Sequence, residues 1–348
     1  MTSPIRVLVV DDSAFMRKAL CGMLSGEPRI TVVGTARNGE EALQKVDELR
    51  PDVMTLDIEM PGMNGLDALR RLMETRPLPV LMVSSLTTEG AQETLTALEL
   101  GAVDYLPKHL EGVVTNIAAI RQEFIAKVIA AAGAAGKLRR RSPLATRPAP
   151  IRVSRSVTHG SKLVAIGCST GGPQALYEIL PLLPEDFPAG MVIAQHMPKF
   201  FTKPFAERID QVCRITVREA IEGDVITPGV ALLAPGGLQL RVVRRRATSL
   251  EITLAPNTEG LPHAPSVDVM MKSVAEVYGE RGIGVILTGM GQDGLEGMRG
   301  IKGAKGRTIA QDEATCTVYG MPRAVVEGGY ADKVVPLNLI VGEIMNMV

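Results

Sequence analysis

Cysteine is scarce in this sequence, the net charge is zero, and long apolar runs are missing. The four cysteines, Cys21, Cys168, Cys213 and Cys316, are scattered and form no C-x-x-C pair, which argues against disulfides and zinc and fits a reducing compartment. No run approaches the roughly 18 apolar residues of a membrane span, and residues 1–6 lack the apolar core of a signal peptide. We therefore expect a cytoplasmic protein with no direct membrane insertion.

The 348-residue length predicts about two domains, each with its own core. Between residues 128 and 160 the composition shifts to Ala, Gly, Pro, Ser and Arg, which is typical of a linker, here with a helix running into its start. The predicted domains are therefore residues 1–127 and 161–348. A basic cluster at 137–141 could dock on an acidic partner, although a solvated tether explains it more simply. Because 38 basic residues balance 38 acidic ones, we expect no nucleic-acid partner. We also expect a monomer.

In the first domain, short apolar runs end at polar side chains. Residues 7–10 lead into Asp11 and Asp12, residues 53–56 into Asp57, residues 80–83 into Ser84, and residues 102–106 towards Lys108. Such runs suit strands that are buried on both faces of a parallel sheet, and the segments between them have helical spacing. This alternation predicts a doubly wound α/β domain, whose ligand site lies at the carboxyl ends of the strands.

Charge suggests the chemistry at that edge. Three crowded carboxylates, Asp11, Asp12 and Asp57, repel one another and favour a hard cation such as Mg²⁺. Asp57 would attack a phosphoryl group, while the Ser84 hydroxyl and the Lys108 ammonium bind its remaining oxygens. Any one of these residues could be an ordinary solvated loop residue. Their common position at strand ends favours a phosphoryl-accepting site.

These residues resemble the response-regulator receiver family over the first third of the chain. The resemblance implies a flavodoxin-like fold in which Asp57 is the phosphoacceptor and Asp11 and Asp12 are the metal-binding pair, with the backbone at Glu59 as a further ligand. It also implies a sensor histidine kinase as the phosphodonor.

The sequence departs from the receiver pattern at one place. The family usually has proline directly after the lysine, whereas here Pro107 precedes Lys108 and His109 follows it. The sequence therefore leaves the local backbone geometry at Lys108 undecided. The positive charge of the lysine is not affected.

The second domain repeats the pattern of strand, turn and helix. Residues 163–166 lead into a Gly-rich turn that contains Ser169, after which Pro173 opens an amphipathic helix. Residues 191–194 lead towards His196, and residues 284–288 lead towards Asp293. Three strand ends of a predicted Rossmann-like α/β domain thus carry a serine, a histidine and an aspartate.

These residue types are those of a nucleophile, a base and an orienting acid, because a serine hydroxyl reacts only when a neighbouring base takes its proton. The other three histidines are less suited as the base: His109 lies in the first domain, His159 in the linker, and His263 in a Pro-His-Ala-Pro loop that no strand delivers. Residues 167–171 match G-x-S-x-G, but α/β-hydrolases place the acid before the histidine. A Ser-His-Asp triad does not require the α/β-hydrolase fold, so the predicted triad stands. The turn and the helix N-terminus behind it also offer N–H groups for an oxyanion.

Two alternatives concern the same segments. Residues 289–294 match the dinucleotide pattern G-x-G-x-x-G, with Asp312 and Glu313 about 20 residues further on. That pattern belongs in the first βα turn of a domain, and this one comes late. Cys168, beside Ser169, could itself be the nucleophile, although a buried small apolar residue is the commoner role.

The second domain resembles the catalytic domain of the chemotaxis protein-glutamate methylesterase family (CheB-type). The motifs that carry the resemblance are residues 167–172, 195–198, 287–294, 310–313 and 319–322. The resemblance implies a phosphorylation-activated serine hydrolase that demethylates glutamate γ-methyl esters, releasing methanol, and deamidates glutamines on methyl-accepting chemotaxis receptors. Ser169, His196 and Asp293 would form its triad, the backbone N–H of Met290 would hold the oxyanion, and Thr170 would support His196 or the substrate. We expect Mg²⁺ at the receiver site and no cofactor for the ester chemistry.

Two other classes of function fit a receiver with an output domain. A DNA-binding output is disfavoured by the balanced charge and by the strand-turn-helix pattern of the second domain. An interaction module with a decayed hydrolase site is harder to exclude. Loss of activity on Ser169→Ala substitution would separate the enzyme from the module.

Overall fold

The computed structural model describes residues 3–85, 87–108, 117–134, 162–246, 249–258 and 260–348. It divides into two compact units, Met1–Leu144 and Ala145–Val348. Most of the predicted linker, with its basic cluster at 137–141 and His159, lies outside the described residues, as does His109. The predicted domain boundaries therefore stay a prediction. Within the described ranges no helix is long and apolar enough to span a membrane.

The first unit is a parallel sheet flanked by helices. Its strands are β1 (Ile5–Val10), β2 (Ile30–Ala36), β3 (Val53–Asp57), β4 (Val80–Ser84) and β5 (Asp104–Pro107). Its helices are α1 (Ala14–Leu24), α2 (Gly39–Leu49), α3 (Gly65–Thr75), α4 (Thr88–Glu99) and α5 (Ile117–Gly133). The spatial order is β2-β1-β3-β4-β5 with all pairs parallel. The doubly wound prediction is confirmed.

Local sequence accounts for these elements. The apolar runs of β1, β3 and β4 are buried between two layers of helices, as continuous apolar strands require. The four helices α1 to α4 begin at polar caps, because the side chains of Ser13, Asn38, Asn64 and Thr87 each accept a hydrogen bond from the backbone N–H three residues further on.

One glycine allows α3 to begin directly against the end of β3. The Gly65 N–H donates to the Ile58 carbonyl over 2.9 Å, and a Cβ at Gly65 would collide with the Asp57 carbonyl oxygen. We expect Gly65→Ala to destabilise this unit by about 2 kcal/mol through overpacking. Hydrogen exchange of the β3 amides in the full chain measures this loss. Gly133→Ala, where an added Cβ meets nothing within 4 Å, is the control. Equal β3 protection in both variants would contradict the prediction.

The second unit is a larger parallel sheet with a separate hairpin. Its sheet strands are β6 (Leu163–Cys168), β7 (Gly190–Gln195), β8 (Thr216–Glu219), β9 (Val230–Leu233), β12 (Gly282–Ile286), β13 (Arg307–Gln311) and β14 (Lys333–Val335). The antiparallel hairpin pairs β10 (Leu238–Arg246) with β11 (Ser249–Pro256). The spatial order of the sheet is β14-β13-β12-β6-β7-β9-β8. The Rossmann-like α/β prediction is confirmed.

Helices cover this sheet on both faces. They are α6 (Gly172–Ile179), α7 (Lys199–Asp210), α8 (Val267–Tyr278), α9 (Leu295–Gly303), α10 (Met321–Glu327) and α11 (Leu337–Met347), with 3-10 turns at Leu180–Leu182 and Gly279–Arg281. The strands β12, β6 and β7 are neighbours near the middle of the sheet. Since parallel strands end at one edge, the segments that follow these three strands meet there.

Candidate active sites of the two units

The first unit brings the predicted acidic residues and lysine together. Asp11 and Asp57 are buried at the ends of β1 and β3, whereas Asp12 is exposed. One carboxylate oxygen from each of the three residues lies within 4.8 Å of the others. The Lys108 Nζ lies 2.7 Å from Asp57 Oδ1 and 3.4 Å from Asp11 Oδ2. The three carboxylates and the ammonium thus form one cluster at the carboxyl edge of the sheet.

The residue order around Lys108 does not displace its side chain. The Lys108 backbone N–H donates to the Ser84 carbonyl over 2.7 Å, which ties the end of β5 to the end of β4. The Ser84 side chain is also at this edge, where its hydroxyl accepts from Thr94 Oγ1 over 2.6 Å and donates to the Gly90 carbonyl over 3.2 Å. In this arrangement the Ser84 hydroxyl is hydrogen-bonded to α4.

Burial dominates the electrostatics of this cluster. Burial raises the pKa of Asp57 to about 6, although pairing with Lys108 and a hydrogen bond from the Glu59 backbone N–H oppose the shift. Burial also raises the pKa of Asp11. For Lys108, burial lowers the pKa, but the hydrogen bond and charge of Asp57 outweigh it and leave the pKa raised. The lysine is therefore positively charged beside the carboxylates.

The cluster fits a divalent cation. Oδ2 of Asp57 is buried and accepts no hydrogen bond from any described residue, and the buried Oδ2 of Asp11 has only the Lys108 ammonium, 3.4 Å away, beside it among the described residues. Carboxylate oxygens in such a position suit Mg²⁺, which takes oxygen ligands. A cavity of about 470 Å³ opens beside them, lined in part by Asp12, Glu59 and Lys108.

In the second unit, Ser169 and His196 directly follow the adjacent strands β6 and β7, and Asp293 lies in the loop between the neighbouring β12 and α9. The His196 N–H donates to the Cys168 carbonyl over 3.1 Å, and the Ser169 N–H donates to the Thr288 carbonyl over 3.0 Å. His196 Nε2 lies 2.8 Å from Asp293 Oδ2. No hydrogen bond joins the Ser169 hydroxyl to the imidazole ring within the described part of the chain. Such contacts often tighten only when substrate binds.

Asp293 is held at the N-terminus of α8. Its carboxylate accepts hydrogen bonds from Ser266 Oγ (3.0 Å), the Val267 N–H (2.7 Å) and the Asp268 N–H (3.0 Å). Burial by itself would raise the pKa of Asp293, but the hydrogen bond and charge of His196 and these backbone donors outweigh it and lower the pKa to about 2. The residue is therefore an anion at neutral pH.

This charge fixes the histidine tautomer. An ionised carboxylate only accepts hydrogen bonds, so the His196 Nε2 that faces Asp293 carries the proton. In neutral His196 the proton-free nitrogen is Nδ1, which is buried and has no hydrogen-bond partner among the described residues. Nδ1 is thus the ring nitrogen that can take a proton.

The turn that carries Ser169 is tightly packed. Gly171 has φ +77°, which favours glycine, and α6 begins directly after it. Thr170 is buried, and its carbonyl accepts from Thr288 Oγ1 over 2.9 Å. A Cβ at Gly289 would come within 3.0 Å of the Ser169 Cβ, so Gly289, the residue before Met290, packs directly against the serine. The predicted support residues Thr170 and Met290 therefore both lie close to Ser169.

Sequence reasoning set His263 aside as a candidate base, and it gave no indication of where the structure places this residue. The His263 ring stacks on the His196 ring with centroids 3.9 Å apart and an interplanar angle of 16°. The Gln239 Nε2 holds this loop by donating to the His263 carbonyl over 2.8 Å. Partial burial of the ring, and then the neighbouring His196, lower the pKa of His263 to about 4, although the residue as a whole is exposed to solvent. Its only signal in the sequence was the rarity of histidine.

Stacking on His196 predicts that His263 contributes to the catalytic rate. We expect His263→Ala to lower the catalytic rate by about tenfold, because the His196 ring loses the face that holds its orientation. His263→Phe keeps a stacking ring and should keep most of the activity. Steady-state rates of both variants on one ester substrate measure this. A His263→Phe variant as slow as His263→Ala would show that the imidazole, and not the stack, is required.

The same histidine gives a pH dependence. Its folded pKa of about 4 lies below the reference value of 6.5, so the unfolded chain binds this proton more readily. The contribution to stability is complete above pH 6.5 and is lost as the pH falls towards 4. Between about pH 4 and 6.5 the free energy of unfolding of wild type should therefore rise more steeply with pH than that of His263→Phe, and above pH 6.5 the two slopes should be equal.

The structure disfavours both alternatives for this domain. Cys168 is fully buried beneath the turn, and burial raises the pKa of its thiol well above its usual range, so it is not a thiolate nucleophile. The Asp312 carboxylate binds within its own turn, where it accepts from the Thr315 N–H and hydroxyl over 3.0 and 2.6 Å. The Asp312 carboxylate therefore stabilises its own turn, and no bound nucleotide ribose is required to explain it.

These two units define a class of protein: a receiver domain joined to a parallel α/β output domain that brings a serine, a histidine and an aspartate together. The family model for the response regulator receiver domain matches residues 7–117, and that for CheB methylesterase matches residues 164–344. The chain belongs to the CheB family of protein-glutamate methylesterases/protein-glutamine glutaminases.

Individual relatives agree with this family. A protein-glutamate methylesterase/protein-glutamine glutaminase of Nitratidesulfovibrio vulgaris is 49% identical, covering 98% of this chain and 99% of its own length. That of Pyrococcus horikoshii is 47% identical, covering 98% of this chain and 92% of its own. The crystal structure of the Thermotoga maritima CheB methylesterase catalytic domain superposes with a TM-score of 0.53 at 41% identity, over 54% of this chain and 100% of that one.

Proposed function

We propose that this chain demethylates glutamate γ-methyl esters and deamidates glutamines on methyl-accepting chemotaxis receptors, under control of phosphorylation at Asp57. The observation that carries the hydrolase part is the 2.8 Å hydrogen bond between His196 Nε2 and Asp293, which leaves Nδ1 as the base nitrogen at the strand end beside Ser169. The names of the relatives support the substrate class, since each is a protein-glutamate methylesterase and protein-glutamine glutaminase.

The proposed reaction proceeds through an acyl-enzyme. His196 Nδ1 takes the hydroxyl proton as Ser169 Oγ bonds to the ester carbonyl carbon. Backbone N–H groups, that of Met290 among them, hold the oxyanion, with Thr170 supporting the turn. The bond to the methoxy oxygen then breaks, and His196 gives that oxygen its proton, so that methanol leaves. With a glutamine substrate the leaving group is ammonia.

Water completes the cycle by the same groups. His196 Nδ1 takes a proton from a water molecule, whose oxygen bonds to the acyl carbon. The bond to Ser169 Oγ breaks, the serine recovers its proton from His196, and a glutamate is released. Asp293 stays ionised throughout and stabilises the imidazolium through Nε2, consistent with its pKa of about 2.

In the receiver unit, Asp57 would form the new bond to phosphorus as the bond to the histidine kinase nitrogen breaks. Asp11, Asp12 and Asp57, with the backbone at Glu59, would hold Mg²⁺, which when bound neutralises negative charge on the phosphoryl oxygens. Lys108, whose Nζ lies 2.7 Å from Asp57, would pair with the phosphoryl group. Ser84 would exchange its contacts to α4 for a phosphoryl oxygen, and this exchange is the local event that phosphorylation would bias.

Methanol release from methylated receptor membranes tests the proposal. We expect Ser169→Ala to lose release by at least about 10³-fold, since the nucleophile is removed. Ser273→Ala also removes a buried serine hydroxyl in this unit, one that accepts from the Val242 N–H over 2.9 Å and donates to the Met270 carbonyl over 2.6 Å, and it should keep the activity. No release by wild type with or without a phosphodonor would contradict the enzyme and favour a phosphorylation-switched binding module.

A further inference from the structure

Two buried polar side chains hold the turn that carries Ser169, one from each side. On the β7 side, the Gln195 carboxamide is almost fully buried, and its Nε2 donates to the Ser169 carbonyl over 3.1 Å and to the His196 carbonyl over 3.1 Å. These carbonyls belong to the proposed nucleophile and the proposed base. One amide group thus joins the backbones of the two reacting residues.

The orientation of this amide is determined by its neighbours. Both of its partners are carbonyl oxygens, which only accept, so Nε2 and not Oε1 must face them. Oε1 lies against Gly172, where a Cβ would collide with it, and it finds no donor among the residues that the structure describes. A buried oxygen without a donor is unfavourable. The contacts of Nε2 therefore explain why a glutamine occupies this position.

On the β12 side, Thr288 hydrogen-bonds to the same turn at two points and to Val318 at a third. Its hydroxyl donates to the Thr170 carbonyl over 2.9 Å and accepts from the Val318 N–H over 2.9 Å. Its own carbonyl accepts from the Ser169 N–H over 3.0 Å. Thr288 is itself fixed, because Gln311 Oε1 accepts from its N–H over 2.8 Å. The turn is therefore bonded to both neighbouring strand ends.

We propose that Gln195 and Thr288 are positioning residues for the hydrolase reaction. This inference rests on the proposed function, in which Ser169 Oγ must face His196 Nδ1. Both side chains are almost fully buried and bind backbone groups, so they act through Ser169 and His196 and do not touch substrate. A misplacement of about 1 Å between reacting groups costs about a hundredfold in rate. Loss of either contact should therefore slow the chemical step without weakening substrate binding.

Isosteric substitutions test this inference. Gln195→Met and Thr288→Val keep the approximate side-chain volume and remove the donors. We expect the rate of methanol release per active site to fall about tenfold to a hundredfold in Gln195→Met, and about tenfold in Thr288→Val, with KM within about twofold. Titration with a fluorophosphonate counts the reactive serines, so that the rate refers only to folded enzyme. The rate of inactivation by this reagent should fall in parallel, because it too requires an activated Ser169.

The control is a buried threonine near the amino ends of the strands of the same sheet, away from the carboxyl ends where Ser169 lies. Thr308 is fully buried near the start of β13, and its hydroxyl accepts from the Asp332 N–H over 3.0 Å. Thr308→Val should lower stability and the number of titrated sites, with the rate per site unchanged. If Gln195→Met and Thr288→Val behave like this control, their role is purely structural and the inference is overturned.

The two readouts separate this inference from the proposed function. If wild type reacts with the fluorophosphonate but releases no methanol, the ester assignment fails, and the inactivation rates still decide whether the two residues position Ser169. If wild type releases methanol and both variants match it per titrated site, the proposed function stands and the positioning role fails. If wild type gives neither reaction, both are overturned.

Discussion

Asp293→Asn should lower the rate of methanol release per active site by about 10⁴-fold. Asp293 accepts from His196 and from the N-terminus of α8, and its negative charge fixes the proton on Nε2. An asparagine can present its amide N–H groups to the ring, which places the proton on Nδ1 instead. Ser169 then faces a nitrogen that cannot accept its proton. The steady-state rate, referred to titrated sites, measures this effect.

A second aspartate in the same unit provides the control. Asp332 pairs with Lys302 Nζ over 3.0 Å, and its carboxylate accepts from the Thr308 N–H over 2.9 Å. Asp332→Asn removes a hydrogen-bonded carboxylate that has no part in the triad and should change the rate per site by less than about twofold. An Asp293→Asn variant within tenfold of wild type would mean that the tautomer of His196 is set by something other than Asp293.

Asp57→Asn should abolish stimulation by a small-molecule phosphodonor, the second large effect that the structure predicts. The amide is a poor nucleophile for phosphorus, and one of the three carboxylates of the cation site is lost. Incorporation of labelled phosphate and methanol release, each with Mg²⁺ and phosphodonor, measure the two consequences. Asp52→Asn changes an aspartate at the other end of β3, one that accepts from the Arg6 N–H over 2.8 Å. This variant should keep both phosphate incorporation and the stimulation of methanol release. Stimulation that survives in Asp57→Asn would place the phosphoacceptor elsewhere.

The raised pKa of Asp57 adds a pH dependence to this experiment. The protonated carboxyl is not nucleophilic, and the pKa of about 6 means that this form becomes abundant just below pH 6. The rate of phosphate incorporation should therefore fall as the pH drops through this value. A bound cation favours the ionised form, so increasing Mg²⁺ should move the fall to lower pH.

The fold could be predicted because it is encoded locally. The apolar runs that end at Asp11, Asp57, Ser169 and His196 are strands in the structure, each buried on both faces. Parallel strands bring their carboxyl ends to one edge, so the residues that follow them could be grouped into sites before any contact was known. The structure agrees in placing Lys108 on Asp57 and His196 on Asp293.

What could not be predicted depends on segments that approach from far along the chain. His263 lies in an irregular loop, and only packing brings its ring onto His196. Which nitrogen of His196 faces Asp293 is likewise a property of the packed ring.

The sequence by itself determined two parallel α/β units and the carboxylate, lysine, serine, histidine and aspartate residues at their strand ends. Hydrophobic periodicity and turn residues are local signals, and they suffice to place strand ends. Only the tertiary structure decided that the His263 ring stacks on His196 and that Gln195 and Thr288 hydrogen-bond to the turn that carries Ser169. Ring stacking and hydrogen bonds to distant backbone groups depend on distances between remote segments, and no local pattern of residues specifies those distances.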